Sequence, residues 1–220
     1  DSLLQLSERT QVCRLDCAAE SMLSGSKSSW LLPEQTPIEH VQPLFRELFL
    51  LSQEIVVIDG YGGKEMFVQA HPRQDHMPPQ AAGILRFLSW IQHFRSPDRP
   101  LKRLKIYTAH SVNRSMKDAV KVTQEEILSV WSDANECPEI TQLKQHIQEI
   151  SLVLADPKHF HDRFVRFDNY CLQLGAGMGC FDSPRRLAKQ LSMTRYHDKD
   201  QHHIESLLRA QAEEVLVWRR

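Results

Sequence analysis

The 220-residue chain carries 27 Lys and Arg against 28 Asp and Glu and is 41% hydrophobic, enough apolar material for one large domain with a real core. The near-even charge balance excludes a polycation that grips nucleic acid by bulk charge and leaves room for a local basic patch. No apolar run approaches the roughly 18–20 residues of a transmembrane segment.

The chain begins Asp1-Ser2-Leu3, with no basic stretch ahead of an apolar one. No signal peptide is expected, and the start is expected to be either an arbitrary boundary or a cut from a longer chain. Five cysteines, at 13, 17, 137, 171 and 180, form neither a Cys-x-x-Cys pair nor a disulfide framework. A reducing, cytoplasmic compartment is expected. Cys13 and Cys17 lie one helical turn apart; two small residues on one helix face explain them better than a shared metal. No cofactor is expected.

In chain order, Leu3, Leu4, Val12, Leu15, Ala19 and Leu23 fall on one stripe. They predict an amphipathic arm over 1–24 whose helix, 1–23, docks on this domain or on a partner protein. Residues 25–37 open with Gly25-Ser26-Lys27-Ser28-Ser29 and are expected to be a linker. A helix is predicted over 38–52. Ile55-Val56-Val57-Ile58 then reads as a strand buried on both faces and stopped by Asp59-Gly60. A proline-rich loop (68–80), a helix (81–94) and a strand (104–109) follow. Thr123-x-x-Glu126 is a capping box that starts a helix. The pattern next predicts a helix over 140–150 and a strand over 150–155. Residues 163–167 and 171–174 read as a hairpin turning at Asp168-Asn169. After the glycine loop 175–179 come a polar, His-rich stretch, a helix over 201–212 and a strand over 215–218. Strands alternating with helices, then a hairpin, predict an α/β fold: a mixed sheet flanked by helices. Trp30, Trp90, Trp131 and Trp218 are expected in the core or against a partner.

The chemistry concentrates in His159-Phe160-His161-Asp162-Arg163-Phe164-Val165-Arg166-Phe167-Asp168. On a strand, His161, Arg163, Val165 and Phe167 share one face, and Asp162, Phe164, Arg166 and Asp168 the other. A His and an Arg two residues apart can both touch one phosphate, the imidazole as nucleophile or hydrogen-bonding group and the guanidinium as a fork. The plainer alternative is a His packed under a hairpin beside a structural Arg ion pair. Gly175-x-Gly177-x-Gly179 does not have dinucleotide-binding spacing. It is either a tight loop or a backbone nest for an anion. Arg185, Arg186, Lys189 and Arg195 form a basic cluster that is either plainly solvated or in contact with phosphates. Asp59 and Tyr61, at a strand end, are either candidates for a site rim or, for Asp59, a cap on the next turn. His159, His161, His202 and His203 match no zinc spacing, so no metal is expected.

His161-x-Arg163 followed by Asp168 resembles the His-x-Lys-x-x-x-x-Asp motif of the phospholipase D superfamily, with Arg for Lys. Ile58-Asp59-Gly60-Tyr61, His161-Asp162-Arg163 and Gly175, Gly177, Met178 and Phe181 further resemble the phospholipase-D-like domain found C-terminal to MIT domains. The resemblance covers roughly 38–220 and leaves the arm outside. It implies a phospholipase-D-like sheet and assigns catalytic-type positions to His161, Arg163 and Asp168. Phosphate contacts are expected at Arg163, Gly175, Gly177, Arg185 and Arg186, and a rim at Asp59, Tyr61 and Arg195. Enzymes of this superfamily join two such motifs around one site. A second is absent here, because His197-x-Lys199 is followed by Ile204 rather than Asp. Three functions are therefore expected in this order. The first is a module that binds phosphate-rich ligands without turnover, nucleic acid ahead of acidic phospholipid headgroups. The second is a metal-independent nuclease or phosphodiesterase, a homodimer with His161 as nucleophile. The third is a protein-interaction scaffold with a vestigial motif.

Overall fold

Ile55, Val56, Val57 and Ile58 are all buried, as a strand covered on both faces requires. They lie in β2 (Glu54–Ile58), in the interior of an eight-stranded sheet. The computed structural model describes residues 29–62, 66, 83–109, 123–132, 138–160, 162–196, 205–206, 208–210 and 212–220. The other strands are β1 (Ser29–Leu32), β3 (Leu101–Ala109), β4 (Ile147–Ala155), β5 (Phe164–Phe167), β6 (Tyr170–Leu174), β7 (Leu191–Tyr196) and β8 (Glu213–Arg219). Their order is β1-β7-β6-β5-β2-β3-β4-β8. β2, β3 and β4 run parallel, and every other neighbouring pair is antiparallel. The chain is thus mixed α/β.

Four α-helices are described: α1 (Ile38–Leu51), α2 (Gly83–Phe94), α3 (Gln124–Ser132) and α4 (Pro138–Lys144). The capping box forms as expected. Thr123 N–H donates to Glu126 Oε2 (2.7 Å), and Glu126 N–H to Thr123 Oγ1 (3.3 Å), satisfying donors that a helix start leaves unpaired. The four helices bury their apolar stripes on one sheet face, together with Val57, Leu104, Leu152, Val165 and Phe167. Phe49 and Phe167 there lie 5.1 Å apart, centroid to centroid, and Phe87 and Phe181 5.2 Å. The opposite face carries a smaller cluster of Val56, Ile58, Tyr107, Val153 and Phe164 with Leu208. Ion pairs lie on that face too, including Arg166–Glu205 (2.6 Å) and Lys105–Glu214 (2.6 Å).

Three expectations change. The linker expected over 25–37 contains β1, which pairs with β7. Trp30 and Leu32 are buried on alternate positions, and that burial outweighs the local Ser/Gly composition. The helix expected over 140–150 stops at Lys144, and β4 starts at Ile147. Ile140, Leu143, Ile147 and Ile150 have helical spacing, but pairing of Ile147 with Leu101 and of Ile150 with Leu104 claims the second half for the sheet. The stretch read as polar after the glycine loop includes β7, whose Leu191 and Met193 are fully buried. Half of the helix expected over 201–212 falls outside the described residues, and 205–206 and 208–209 are helical. The arm 1–24, with Cys13 and Cys17, lies outside them too. Among the described residues, no helix is long and apolar enough to cross a membrane.

Candidate functional site

The C-terminal ends of the parallel strands set the position of the candidate site. β5 is antiparallel to β2, with Ile58 opposite Phe164. The start of β5 therefore meets the end of β2, and Arg163 arrives beside Asp59. In open α/β sheets this edge is the usual place for ligands. Arg163 precedes β5 but already joins the ladder, its carbonyl accepting the N–H of Leu174 (2.8 Å). Alternation then places it on the face of Val165 and Phe167.

Asp59 is 3% exposed. Its Oδ1 accepts the N–H of Tyr61 (3.0 Å), and its Oδ2 accepts the N–H of Met178 (2.9 Å). One carboxylate thus shapes the turn after β2 and pins the glycine loop to it. Gly177 sits in that loop at φ +62°, a conformation suited to glycine. A Cβ there would lie 2.0 Å from Arg163 Cδ and 2.9 Å from Asp59 Oδ2. The missing side chain is therefore the space through which Arg163 passes. The guanidinium carbon comes 5.7 Å from the ring centroid of Tyr61, whose residue is 49% exposed. Among the described residues, the Arg163 guanidinium makes no hydrogen bond or ion pair.

The loop continues as a 3-10 turn, Gly177–Phe181, clamped to the start of α2. Asp182 Oδ1 accepts the N–H of Gly83 (3.1 Å), and Arg86 donates to the Phe181 carbonyl. Burial, joined by the nearby Asp59 charge, raises the Asp182 carboxyl above its ordinary value despite Lys189 and Arg86. Burial also pushes the Cys180 thiol upward, so it does not offer a reactive thiolate at neutral pH.

The structure therefore brings Asp59, Tyr61, Arg163 and Gly177 together. Gly175 has another task. Its N–H donates to Ser192 O (3.0 Å), and a Cβ on it would lie 2.1 Å from Ser192 Oγ. With the N–H groups of residues 175 and 178 both committed, the loop does not offer these two amides to an anion. Asp168 lies at the far end of β5. Its carboxylate accepts the N–H groups of Gln53 and Glu54 (3.0 and 2.8 Å), so it closes the start of β2 rather than meeting Arg163. Arg195 is at that far end as well, 4.8 Å from the Tyr170 ring centroid. Arg185 and Arg186 are exposed on a segment tied to the entry of α1 by Ile38 N–H to Arg185 O (2.9 Å) and by a bridge between Pro37 and Arg186. His161, His197, His202 and His203 lie outside the described residues. Arg86 and Asp182 escaped sequence reasoning, because a cap supplied from 99 residues away leaves no local signature.

No family model and no curated protein matches the chain. Among solved structures, that described as "Structure of TrmBL2, an archaeal chromatin protein, shows a novel mode of DNA binding" aligns with a TM-score of 0.38 and 14% identity. The alignment covers 91% of this chain and 59% of that one, so the chain spans less than two thirds of that protein's length.

Proposed function

We propose that this chain is a phospholipase-D-like module that binds phosphate-rich ligands without turning them over, nucleic acid in preference to acidic phospholipid headgroups. The observation that carries this reading is the Arg163 guanidinium at the C-terminal strand edge, threaded over Gly177 and lacking a carboxylate partner among the described residues. A guanidinium fork matches two phosphate oxygens. The exposed ring of Tyr61 beside it supports the preference for nucleic acid, because a flat aromatic surface next to a cation suits a stacked base better than a lipid headgroup.

Fluorescence anisotropy with a labelled single-stranded oligonucleotide at low salt tests this. Arg163→Ala is expected to weaken binding roughly ten- to hundredfold, the scale of a lost charge-assisted hydrogen bond, with the melting temperature held. Unchanged affinity would remove Arg163 from the site. A parallel titration with vesicles containing anionic lipid separates the two ligand classes. EDTA-resistant cleavage of the oligonucleotide, abolished by His161→Ala, would replace the binding reading with the phosphodiesterase one.

A further inference from the structure

We propose that two copies of this chain associate through the outer edge of β8, pairing it antiparallel with itself. β8 is the last strand of the sheet; one of its edges bonds to β4, and among the described residues no strand pairs with the other. An unpaired edge presents a row of free N–H and C=O groups to another strand. Its Leu216 is 46% exposed.

The identity of the occupant follows from charge order. From 213 the chain reads Glu-Glu-Val-Leu-Val-Trp-Arg-Arg. Turned antiparallel on itself about Leu216 and Val217, the strand sets Glu213 against Arg220, Glu214 against Arg219 and Val215 against Trp218. Opposite charges then meet at both ends, with the apolar pair Val215 and Trp218 inside them. A parallel pairing in register would instead oppose like charges.

The β8 bulge makes this arrangement geometrically consistent. In a regular strand Glu214 and Arg219, five apart, would point to opposite faces. The register with β4 slips by one residue between Ile150 and Ser151, the signature of one extra residue in β8. Glu214 consequently pairs with Val153 and Arg219 with Glu149, whereas Val215 pairs with Leu152 and Trp218 with Ile150. Glu214 and Arg219 therefore share one face, and Val215 and Trp218 share the other. A two-fold axis perpendicular to the sheet preserves faces, so each proposed partner meets its counterpart on the correct side. Within the chain, Glu214 pairs with Lys105 (2.6 Å) and Arg219 with Glu149 (2.8 Å), yet their side chains remain 44% and 65% exposed. Both can reach across the new seam.

A single strand edge buries less than the roughly 1,200–2,000 Å² of a standard stable interface. The dimer is therefore expected in the micromolar range and weakened by salt. It also keeps the two Arg163 sites apart. β2 and its symmetry mate are seven strand spacings from each other, about 34 Å, and the axis turns their C-terminal ends to opposite edges of the joined sheet. The association is thus independent of the phosphate-binding reading.

Sedimentation velocity at low and high micromolar concentration tests it. Wild type should pass from monomer to dimer with concentration and return toward monomer in high salt. Leu216→Lys, which touches neither internal ion pair, should remain monomeric with an unchanged circular dichroism spectrum. Glu213→Arg with Glu214→Arg, and separately Arg219→Glu with Arg220→Glu, should each be monomeric alone and form a heterodimer when mixed. Wild type that stays monomeric throughout, or a dimer indifferent to Leu216→Lys, would overturn the proposal.

Discussion

Arg163, just before β5, and Arg166, near its other end, do opposite things. Arg166 is enclosed. Its Nε and Nη2 donate to the two oxygens of Glu205 (2.6 and 3.1 Å), and its Nη1 donates to Glu54 Oε2 and the Asp168 carbonyl (both 2.8 Å). Burial works against its charge, but Glu205 and Glu54 overcome this and raise its pKa above the ordinary value. Among the described residues, Arg163 meets an aromatic ring and a glycine where Arg166 is ion-paired with two carboxylates. One arginine holds a helical segment and a turn to the sheet; the other stands at the C-terminal edge of the parallel strands. Residue type alone did not separate them. The carboxylates ion-paired with each among the described residues did.

The largest effect should come from breaking the enclosed side. Arg166→Met takes from Glu205, 4% exposed, its two-point partner and leaves Arg209 at 4.0 Å. The expected loss is about 3–5 kcal/mol, read from the urea midpoint. Glu54 adds a pH signature. Burial pushes its carboxyl upward, but Arg166 and Arg103 together bring it below the ordinary value of 4.5. Its contribution is therefore full above that value and is lost as pH falls through the lower folded-state value. Urea midpoints over an acid series should show this loss in wild type and a reduced one in Arg166→Met.

Gly177→Ala attacks the other side. The positive φ and the collision with Arg163 should cost about 1–3 kcal/mol. By displacing the guanidinium, the change should also weaken oligonucleotide binding in parallel with Arg163→Ala. A melt and a titration on the same sample check both effects. Asp168→Ala sharpens the contrast, because it removes the acceptor for two backbone N–H groups. A loss of about 1–2 kcal/mol is expected, with ligand affinity unchanged. A fall in affinity matching that of Arg163→Ala would bring Asp168 back into the site. The smallest effect is expected at Tyr170. Its hydroxyl is buried without a hydrogen-bond partner among the described residues, and burial pushes its pKa up to about 12. Tyr170→Phe retains the ring under Arg195 and should leave the melting temperature equal or slightly higher.

Several features were legible from neighbouring residues. The run Ile55–Ile58, the Thr123/Glu126 box and the hairpin around Asp168 all form where local patterns put them. The assignment of Val165 and Phe167 to one face and Phe164 to the other also holds. Patterns compatible with both helix and strand were less informative. Ile140, Leu143, Ile147 and Ile150 suit a helix equally well, and only pairing with β3 divides them. β1 and β7 were missed because each buries only a few side chains among polar residues. Their identity comes from the strand alongside rather than from their own sequences.

The candidate site divides along the same line. Parity put Arg163 on the face of Val165 and Phe167, and the strand stop marked Asp59 and Tyr61, because both follow from residues a few positions apart. Which end of β5 holds the site, and that Asp168 belongs to the other, depended on β5 running antiparallel to β2. The bond between Asp59 and Met178 spans 119 residues, and the passage of Arg163 through the space left by Gly177 exists only once that bond has closed the loop. Short-range periodicity constrains how side chains alternate. Their encounter across the chain is set by strand order and by packing around it, which no local pattern carries.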